Sequence, residues 1–338
     1  MEERMDKILS IVIPAYNVEK YLKRCLSSIA FIKPDLLEKI EVLIIDDGST
    51  DNTAEIALKY CQKYPGTFYL HSKENGGHGS AINTGILYAT GKYFKIVDGD
   101  DWLSAKALQN FIGILEKQDV DIVASDYLCI KDKTGEILAK KTCTDDKMQY
   151  GKIASMSKGE IKKVIKMHSF TIKTVYLKNM PYKIDEHCFY VDVEYITYPM
   201  INVESVYYTD ICLYMYRLGR NGQSVDIKSM QRNRAQHMKV YHSLTTFYKM
   251  AVKKGTPLNI RKYIEKCIAQ VIENQFQIYI SLGFQKGIKK ELKEWDCKLK
   301  KQYPRIYEST EKKSITLLRF TNYHLLKPAA IIYKIVKH

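Results

Sequence analysis

Three carboxylates stand within four residues at Asp98-Gly99-Asp100-Asp101, directly after the apolar run Tyr93-Phe94-Lys95-Ile96-Val97. Like charges so close repel one another unless a cation or a set of hydrogen-bond donors holds them. Asp98-Gly99-Asp100 is a D-x-D arrangement, in which two carboxylates on neighbouring extended residues share one oxygen-loving cation. Mn2+ or Mg2+ held by so few carboxylates takes its remaining ligands from water and phosphate, and a nucleoside diphosphate is the natural source of that phosphate. A second acidic pair, Asp46-Asp47, ends the run Ile40-Glu41-Val42-Leu43-Ile44-Ile45. A carboxylate there is placed to hydrogen-bond a base or a ribose. Gly48-Ser49-Thr50-Asp51, which follows, reads more simply as the turn and cap of a helix.

Such residues need a scaffold that brings separate loops to one edge. The apolar run Leu9 to Tyr16 predicts a strand, followed by a helix from Val18 to Ala30. The strand ending at Ile45 is followed by a helix over Asn52 to Tyr64 and a strand from Thr67 to His71. A glycine-punctuated turn, Asn75-Gly76-Gly77-His78-Gly79-Ser80, opens a helix reaching Ala89. Then come the strand Tyr93 to Val97, a helix from Ser104 to Lys117 and the strand Asp121 to Tyr127. This alternation predicts an α/β fold, a Rossmann-like, mostly parallel sheet with helices on both faces. Sheets of that kind bind ligands outside the carboxyl ends of their strands. Pro14-Ala15-Tyr16-Asn17, Asp46-Asp47 and Asp98 to Asp101 all fall on that rim.

From Lys131 to Gly159 the sequence is polar and irregular. Regular signals return with Phe170 to Leu177, a helix-like stretch from Val191 to Met200, and strand-like runs Ser205 to Thr209 and Cys212 to Leu218. Beyond Gly222 the pattern becomes Lys-rich and helical. The expected organisation is an α/β domain over 1–228, its regular half at about 8–130 and a less regular half at about 131–228, then a basic helical region over 229–338.

The 338 residues carry a formal net charge of +15, which implies an anionic partner: nucleic acid, a phosphorylated substrate or an acidic membrane face. The eight cysteines include no C-x-x-C pair and read as small hydrophobes in a reducing compartment. The opening residues lack the apolar core and cleavage site of a signal peptide, and no apolar run approaches the roughly 18–20 residues that span a bilayer. The expected location is cytoplasmic.

SIVIPAYN, IDDGSTDNT and ENGGHGSAINTGILYATGKYFKIVDGDDWL, in that order, resemble the nucleotide-sugar-binding half of the family 2 inverting glycosyltransferases. The likeness is close over about 8–118 and looser to about Ser224. It implies a GT-A fold, a nucleotide-diphospho-sugar donor, most often a UDP-sugar, and Mn2+ or Mg2+, in bacterial surface polysaccharide or glycan synthesis. By that likeness Pro14, Tyr16 and Asp47 line the nucleoside pocket, with Asn17 and Asp46 also expected to bind the donor. Asn75, Gly76 and Asn83 shape the donor site, Gly76 alternatively serving only backbone geometry, and His78 either touches the donor or caps the helix that follows. Asp98 and Gly99 face ribose and metal, and Asp100 holds the metal; Asp101 is expected to cap the next helix.

An inverting transfer needs a base for the acceptor hydroxyl's proton. The family's acidic residue followed three positions later by an aromatic matches Asp192 with Tyr195; Glu194 is the competing carboxylate, with Asp185 and Glu186 behind it. Arg217, Arg220, Gln223 and Ser224 resemble a family loop near the donor phosphates, where arginine can engage two oxygens at once. The family's frequent histidine in that loop is absent.

The closing run Leu325 to His338 predicts a short amphipathic helix, with Ile331, Ile332, Ile335 and Val336 on one side and Lys334 and Lys337 on the other. Such a helix lies on an anionic membrane or docks on its own core, and the former would suit a lipid-linked glycan acceptor on the inner face of the membrane. Competing readings are a nucleotidyltransferase, which would carry a Gly- and Arg/Lys-rich phosphate loop where Pro14-Ala15-Tyr16-Asn17 stands, and a phosphotransferase of the haloacid dehalogenase kind, with its aspartate on the first strand. A non-catalytic basic binding protein accounts for the charge but not for the rim aspartates, and nothing resembles a nucleic-acid module.

Overall fold

Leu9 to Ala15 and Ile40 to Asp46 are buried along their entire lengths, which strands achieve where both faces of a sheet are covered. They are β1 (Leu9–Ala15) and β2 (Ile40–Asp46) of the computed structural model, which describes residues 7–145, 148–220, 223 and 226–337. The chain divides into two compact units, 1–221 and 222–338, so Ser229 lies within the first helix of the second unit.

In the first unit β1 leads into α1 (Glu19–Ala30) and α2 (Pro34–Leu37), and β2 into α3 (Thr53–Lys63). There follow β3 (Phe68–Ser72), α4 (His78–Tyr88), β4 (Tyr93–Ile96), β5 (Trp102–Leu103), α5 (Ala105–Lys117) and β6 (Ile122–Lys131). The polar stretch beyond Lys131 supplies two short strands, β7 (Ile137–Lys141) and β8 (Ile153–Ser155). Phe170 to Leu177 divides into β9 (Phe170–Lys173) and α6 (Thr174–Lys178), and α7 (Asp192–Thr197) precedes β10 (Ser205–Leu218). The two runs expected at 205–209 and 212–218 are one strand, whose pairing with β6 shifts register at Thr209/Cys212 and again at Cys212/Tyr214.

Strand order is β3-β2-β1-β4-β9-β6-β10-β5. The β3, β2, β1 and β4 strands run parallel, and β6 and β10 run parallel to each other. β9 enters antiparallel between β4 and β6. The result is an α/β sheet with helices around it, and its parallel strands place their carboxyl ends on one rim: Ala15 pairs with Asp46, and Asp46 with Ser72. Backbone bonds continue the alignment past the strand ends. The Asp47 amide donates to Ala15 O at 2.9 Å, Val97 to Val12 O at 2.9 Å and Gly99 to Pro14 O at 3.3 Å.

One face of the sheet is closed by α1 and α5, whose apolar stripes (Leu22, Cys25, Leu26 and Ile29; Leu108, Phe111, Ile112 and Leu115) join Ile11, Ile13, Val42 and Ile44 in one cluster. α4 packs against β1 so closely that a Cβ on Gly85 would stand 2.3 Å from Val12 Cγ1. The second unit is helical: α8 (Ile227–Arg232), α9 (Arg234–Lys253), α10 (Leu258–Ser281), α11 (Ile288–Gln302), α12 (Pro304–Glu308), α13 (Lys313–Phe320) and α14 (Leu326–Lys337).

Gly85→Ala is expected to lower stability by about 1–3 kcal/mol in urea denaturation, since the added methyl must displace the fully buried Val12 side chain. Gly113→Ala, in α5 with nothing within 4 Å of the added atom, is expected to raise it by about 0.5–1 kcal/mol. Equal effects at the two positions would remove close packing as the reason for glycine at 85.

Candidate active site

Asp101 is the most constrained of the three clustered carboxylates. Only 1% of it is exposed; Oδ2 accepts from the Tyr214 hydroxyl at 2.6 Å and Oδ1 from the Arg217 amide at 2.7 Å. Tyr214 in turn accepts from the Asp98 amide at 3.2 Å. Asp101 therefore ties the loop after β4 to β10. It does not cap α5, as expected from sequence; that cap is Ser104, whose hydroxyl accepts from the Ala107 amide at 3.3 Å.

Asp98 and Asp100, with part of their surfaces exposed, stay on the rim. Oxygens of Asp98, Asp100 and Asp101 all lie within 4.8 Å of one another. Asp98 Oδ1 meets His78 Nε2 at 3.0 Å, and Asp100 Oδ2 meets Arg220 Nη2 at 2.8 Å. Crowding acts on their pKa values. Burial, then the charge of Asp98, raise the Asp100 carboxyl, and burial with both neighbours pushes Asp101 well up. Burial presses Asp98 upward too, but the His78 hydrogen bond and charge carry it below its ordinary value. For His78 burial pulls down and is outweighed by Asp98, Asp192 and Asp100, so its pKa rises.

His78 is the first residue of α4, and the turn before it is fixed by Asp47. That carboxylate is buried; it accepts from the Gly76 amide at 2.9 Å, the Gly77 amide at 2.7 Å and Lys73 Nζ at 2.9 Å, while Asn75 Nδ2 donates to Asp47 O at 2.9 Å. Gly77 takes φ +83°, a conformation L side chains rarely adopt. Asp46, also buried, accepts from the Ser49 amide at 3.1 Å, and Asn17 accepts from the Thr50 amide at 2.8 Å, joining the loops after β1 and β2. Tyr16 is half exposed beside them, and Pro14 and Gly99 meet through their backbones.

Residues 184–188 lie across the start of α4. Asn83 Nδ2 donates to Ile184 O at 2.9 Å and to Glu186 Oε1 at 3.1 Å, its Oδ1 accepts from the Ile184 amide at 3.1 Å, and the His187 amide donates to Gly76 O at 2.5 Å. A Cβ on Gly79 would fall 2.1 Å from Asp185 O. His187 and Tyr190 have φ of 51° and 68°, unusual for bulky residues, just before Asp192 opens α7.

Asp192 is partly buried. Burial raises its pKa against the pull of Lys166 and His78, and the charge of Asp98 adds to the rise. Glu194 is wholly buried; it accepts from the Asp185 amide at 2.8 Å, and burial pushes its pKa to about 8.

Arg217 is also buried and turned to protein partners, Nε donating to Asp100 O at 2.7 Å and Nη1 to Asp132 Oδ1 at 2.9 Å, with its guanidinium 4.8 Å from the Tyr21 and Trp102 ring centres. Gln223 falls in the second unit, and Ser224 lies outside the described residues. The structure thus gathers Asp98, Asp100, His78, Asp192 and Arg220 around one rim, while Asp46, Asp47, Asn17, Asn83 and Arg217 hold its loops. Tyr214, Lys73 and Asp132 were not singled out in the sequence: nothing local separates Tyr214 from the chain's other 25 tyrosines. A polar recess of about 500 Å³ beside Arg220 is lined by Asn17, Tyr21, Asp51 and Asp132 among others, but not by Asp47, Asp98 or Asp192.

The model of the family Glycosyl transferase family 2 matches residues 10–178, half of the chain. The chain belongs to glycosyltransferase family 2. That membership makes it a glycosyltransferase and sets aside the nucleotidyltransfer and non-catalytic readings. Among curated relatives, the minor teichoic acid biosynthesis protein GgaB of Bacillus subtilis is 30% identical over 252 residues, 73% of this chain and 27% of that protein. Glycosyltransferase GlyG of Streptococcus pneumoniae is 34% identical over 123 residues, 36% of this chain and 40% of that one. The chain thus covers well under two thirds of either relative. S. aureus TarS 1–349, solved in complex with UDP-GlcNAc, shares the GT-A fold, with a TM-score of 0.63 at 17% identity over 96% of this chain and 89% of that one.

The Glu194 shift has a testable sign. Its folded pKa of about 8 exceeds the ordinary 4.5, so the folded chain keeps a proton that the unfolded chain loses. The stability it lends is full below pH 4.5 and is lost as pH rises to about 8. Glu194→Gln, which cannot ionise, is expected to gain on the wild type by several kcal/mol across that window in urea denaturation. A difference that stays constant with pH would return Glu194 to ordinary titration.

Proposed function

We propose that the first unit transfers a sugar from a nucleoside-diphosphate sugar, a UDP-sugar, to a hydroxyl of a carbohydrate or lipid-linked glycan. The transfer inverts the anomeric carbon and depends on a divalent metal. The observation that carries this reading is the convergence of Asp98 and Asp100 with His78, Arg220 and Asp192 at the carboxyl ends of parallel strands. The UDP-GlcNAc bound by TarS and the teichoic acid role in GgaB's name support a UDP-sugar and bacterial surface-glycan synthesis, and a membrane-borne acceptor would place the protein on the inner membrane face.

The donor set fits a hard cation. Asp98 and Asp100 offer carboxylate oxygens, whereas both oxygens of Asp101 are taken by Tyr214 and Arg217. The Arg220 guanidinium already stands against Asp100 as a positive charge would. Mn2+ or Mg2+ held there would offset the charge that builds on the leaving diphosphate. Arg220 can exchange Asp100 for a diphosphate oxygen, because its fork of donors suits both. Asp192 takes the acceptor proton: its raised pKa brings its basicity toward working pH, and His78 lies close enough to feel its charge. Glu194, enclosed and holding the 185 amide, acts as a positioning residue.

Three variants test these roles. Asp100→Asn is expected to abolish Mn2+-dependent UDP binding by calorimetry with the melting temperature retained; unchanged binding would take Asp100 out of the metal site. Asp192→Asn should keep UDP affinity and lose about 10²–10⁴-fold in transfer, and normal turnover would move the base elsewhere. Arg220→Gln should bind Mn2+ alone more tightly and UDP with Mn2+ more weakly, whereas unchanged affinity for both would leave Arg220 a surface ion pair. A panel of nucleotide sugars with Mn2+, scored by thermal stabilisation and slow hydrolysis, identifies the donor; failure of every UDP-sugar would overturn that part of the reading.

A further inference from the structure

The +15 charge is not spread along the chain. Residues 222–338 hold 24 Lys and Arg against 8 Asp and Glu, while residues 1–221 hold 29 against 30. The whole excess belongs to the second unit. After Glu311 there is no acidic residue, but Lys312, Lys313, Arg319, Lys327, Lys334 and Lys337 follow. Asymmetry of this degree within one chain marks a surface for an extended anionic partner.

The same stretch exposes large apolar side chains. Phe320 is 88% exposed, Ile335 71%, Ile332 62% and Ile331 50%. The two sequence readings of α14, docking on its own core or facing a membrane, prove compatible, because the helix has two apolar faces. Leu326 and Ala330, one turn apart, are buried; Ala330 Cβ lies 3.0 Å and Leu326 O 3.1 Å from where a Cβ on Gly283 would stand. At 100° per residue Ile331 and Ile335 point to the opposite side, with Lys327 and Lys334 between the two faces.

Leu317 of α13 and Ile332 of α14 line one apolar groove of about 380 Å³ with Phe276, Ile280 and Leu318, so these two exposed residues share a side of this unit. Phe320 stands three residues from Leu317, on the same face of α13. No helix among the described residues is long and apolar enough to cross a membrane. Apolar residues edged by lysines on short helices suit a position in the plane of the interface.

We propose that α13 and α14 dock the second unit onto an anionic bilayer surface, with Leu317, Phe320, Ile331, Ile332 and Ile335 entering the interface and Lys327 and Lys334 meeting lipid phosphates. Charge complementarity decides for this occupant over a second copy of the chain, since two units each with so large a positive excess repel. The proposal rests on the second unit's own surface and not on donor chemistry, so either can fail alone.

The test is sedimentation of the full chain with vesicles of phosphatidylglycerol and phosphatidylcholine, and of phosphatidylcholine alone. The wild type is expected to sediment with the anionic vesicles, less so as salt rises, and to stay in solution with the neutral ones. The pair Ile331→Glu and Ile335→Glu should weaken binding at least ~10-fold, and Lys327→Gln with Lys334→Gln should reduce it further at low salt, with melting temperature and donor hydrolysis unchanged. Wild-type protein that ignores anionic vesicles, or a glutamate pair that binds as the wild type does, overturns the proposal. So does a dimer that the glutamate pair dissociates without any vesicle binding, which would give the face to a second copy.

Discussion

The rim depends on one buried carboxylate. Asp101 has almost no contact with water, and its two oxygens are satisfied by Tyr214 and the Arg217 amide, both on β10. A buried charge or polar group left without such partners is costly, so loop and strand are held together strongly. Because Tyr214 also receives the Asp98 amide, the same hydroxyl fixes the start and the end of the acidic turn. The Arg217 guanidinium fastens the middle through Asp100 O. Asp98 and Asp100 can therefore be presented to solvent in a crowded state that a free loop would relax.

That crowding is balanced residue by residue. His78 faces Asp98 and Arg220 faces Asp100, each partner arriving from a different element: the start of α4 and the loop after β10. Asp47 governs the first of these from a distance, since by gathering the Gly76 and Gly77 amides it sets where α4 begins. Asn83 and Gly79 then let residues 184–188 lie against that helix, which brings Asp192 within electrostatic reach of His78 and Asp98.

What could be read from sequence is what is local. The apolar runs of β1, β2 and β4 announced strands, and the residues ending them announced a shared rim, because parallel strands covered on both faces leave few arrangements. The part played by Asp101 was not legible: its partner lies 113 residues away, and from the sequence alone an aspartate before a helix looks like a cap. β9, only four residues long and antiparallel among parallel neighbours, has no pattern of its own that would give its direction. Asn83 resembles a donor-site residue in sequence yet spends its side chain on Ile184 and Glu186, a contact of 101 to 103 residues' separation. The second apolar face of α14 is visible only once Leu326 and Ala330 are seen to be buried.

These long-range ties bear on how the protein comes into being. Asp101 waits for Tyr214 and Arg217, and Asn83 waits for Ile184, so the acidic turn and the start of α4 gain their final form only after more than a hundred further residues are in place. Loops of that length close late compared with a helix or a βα unit. A chain emerging from the ribosome can thus build β1 to β4 and still lack a formed rim until β10 is laid beside β6. A product truncated before Ser205 would contain every residue of the D-x-D turn but neither Tyr214 nor Arg217 to hold it.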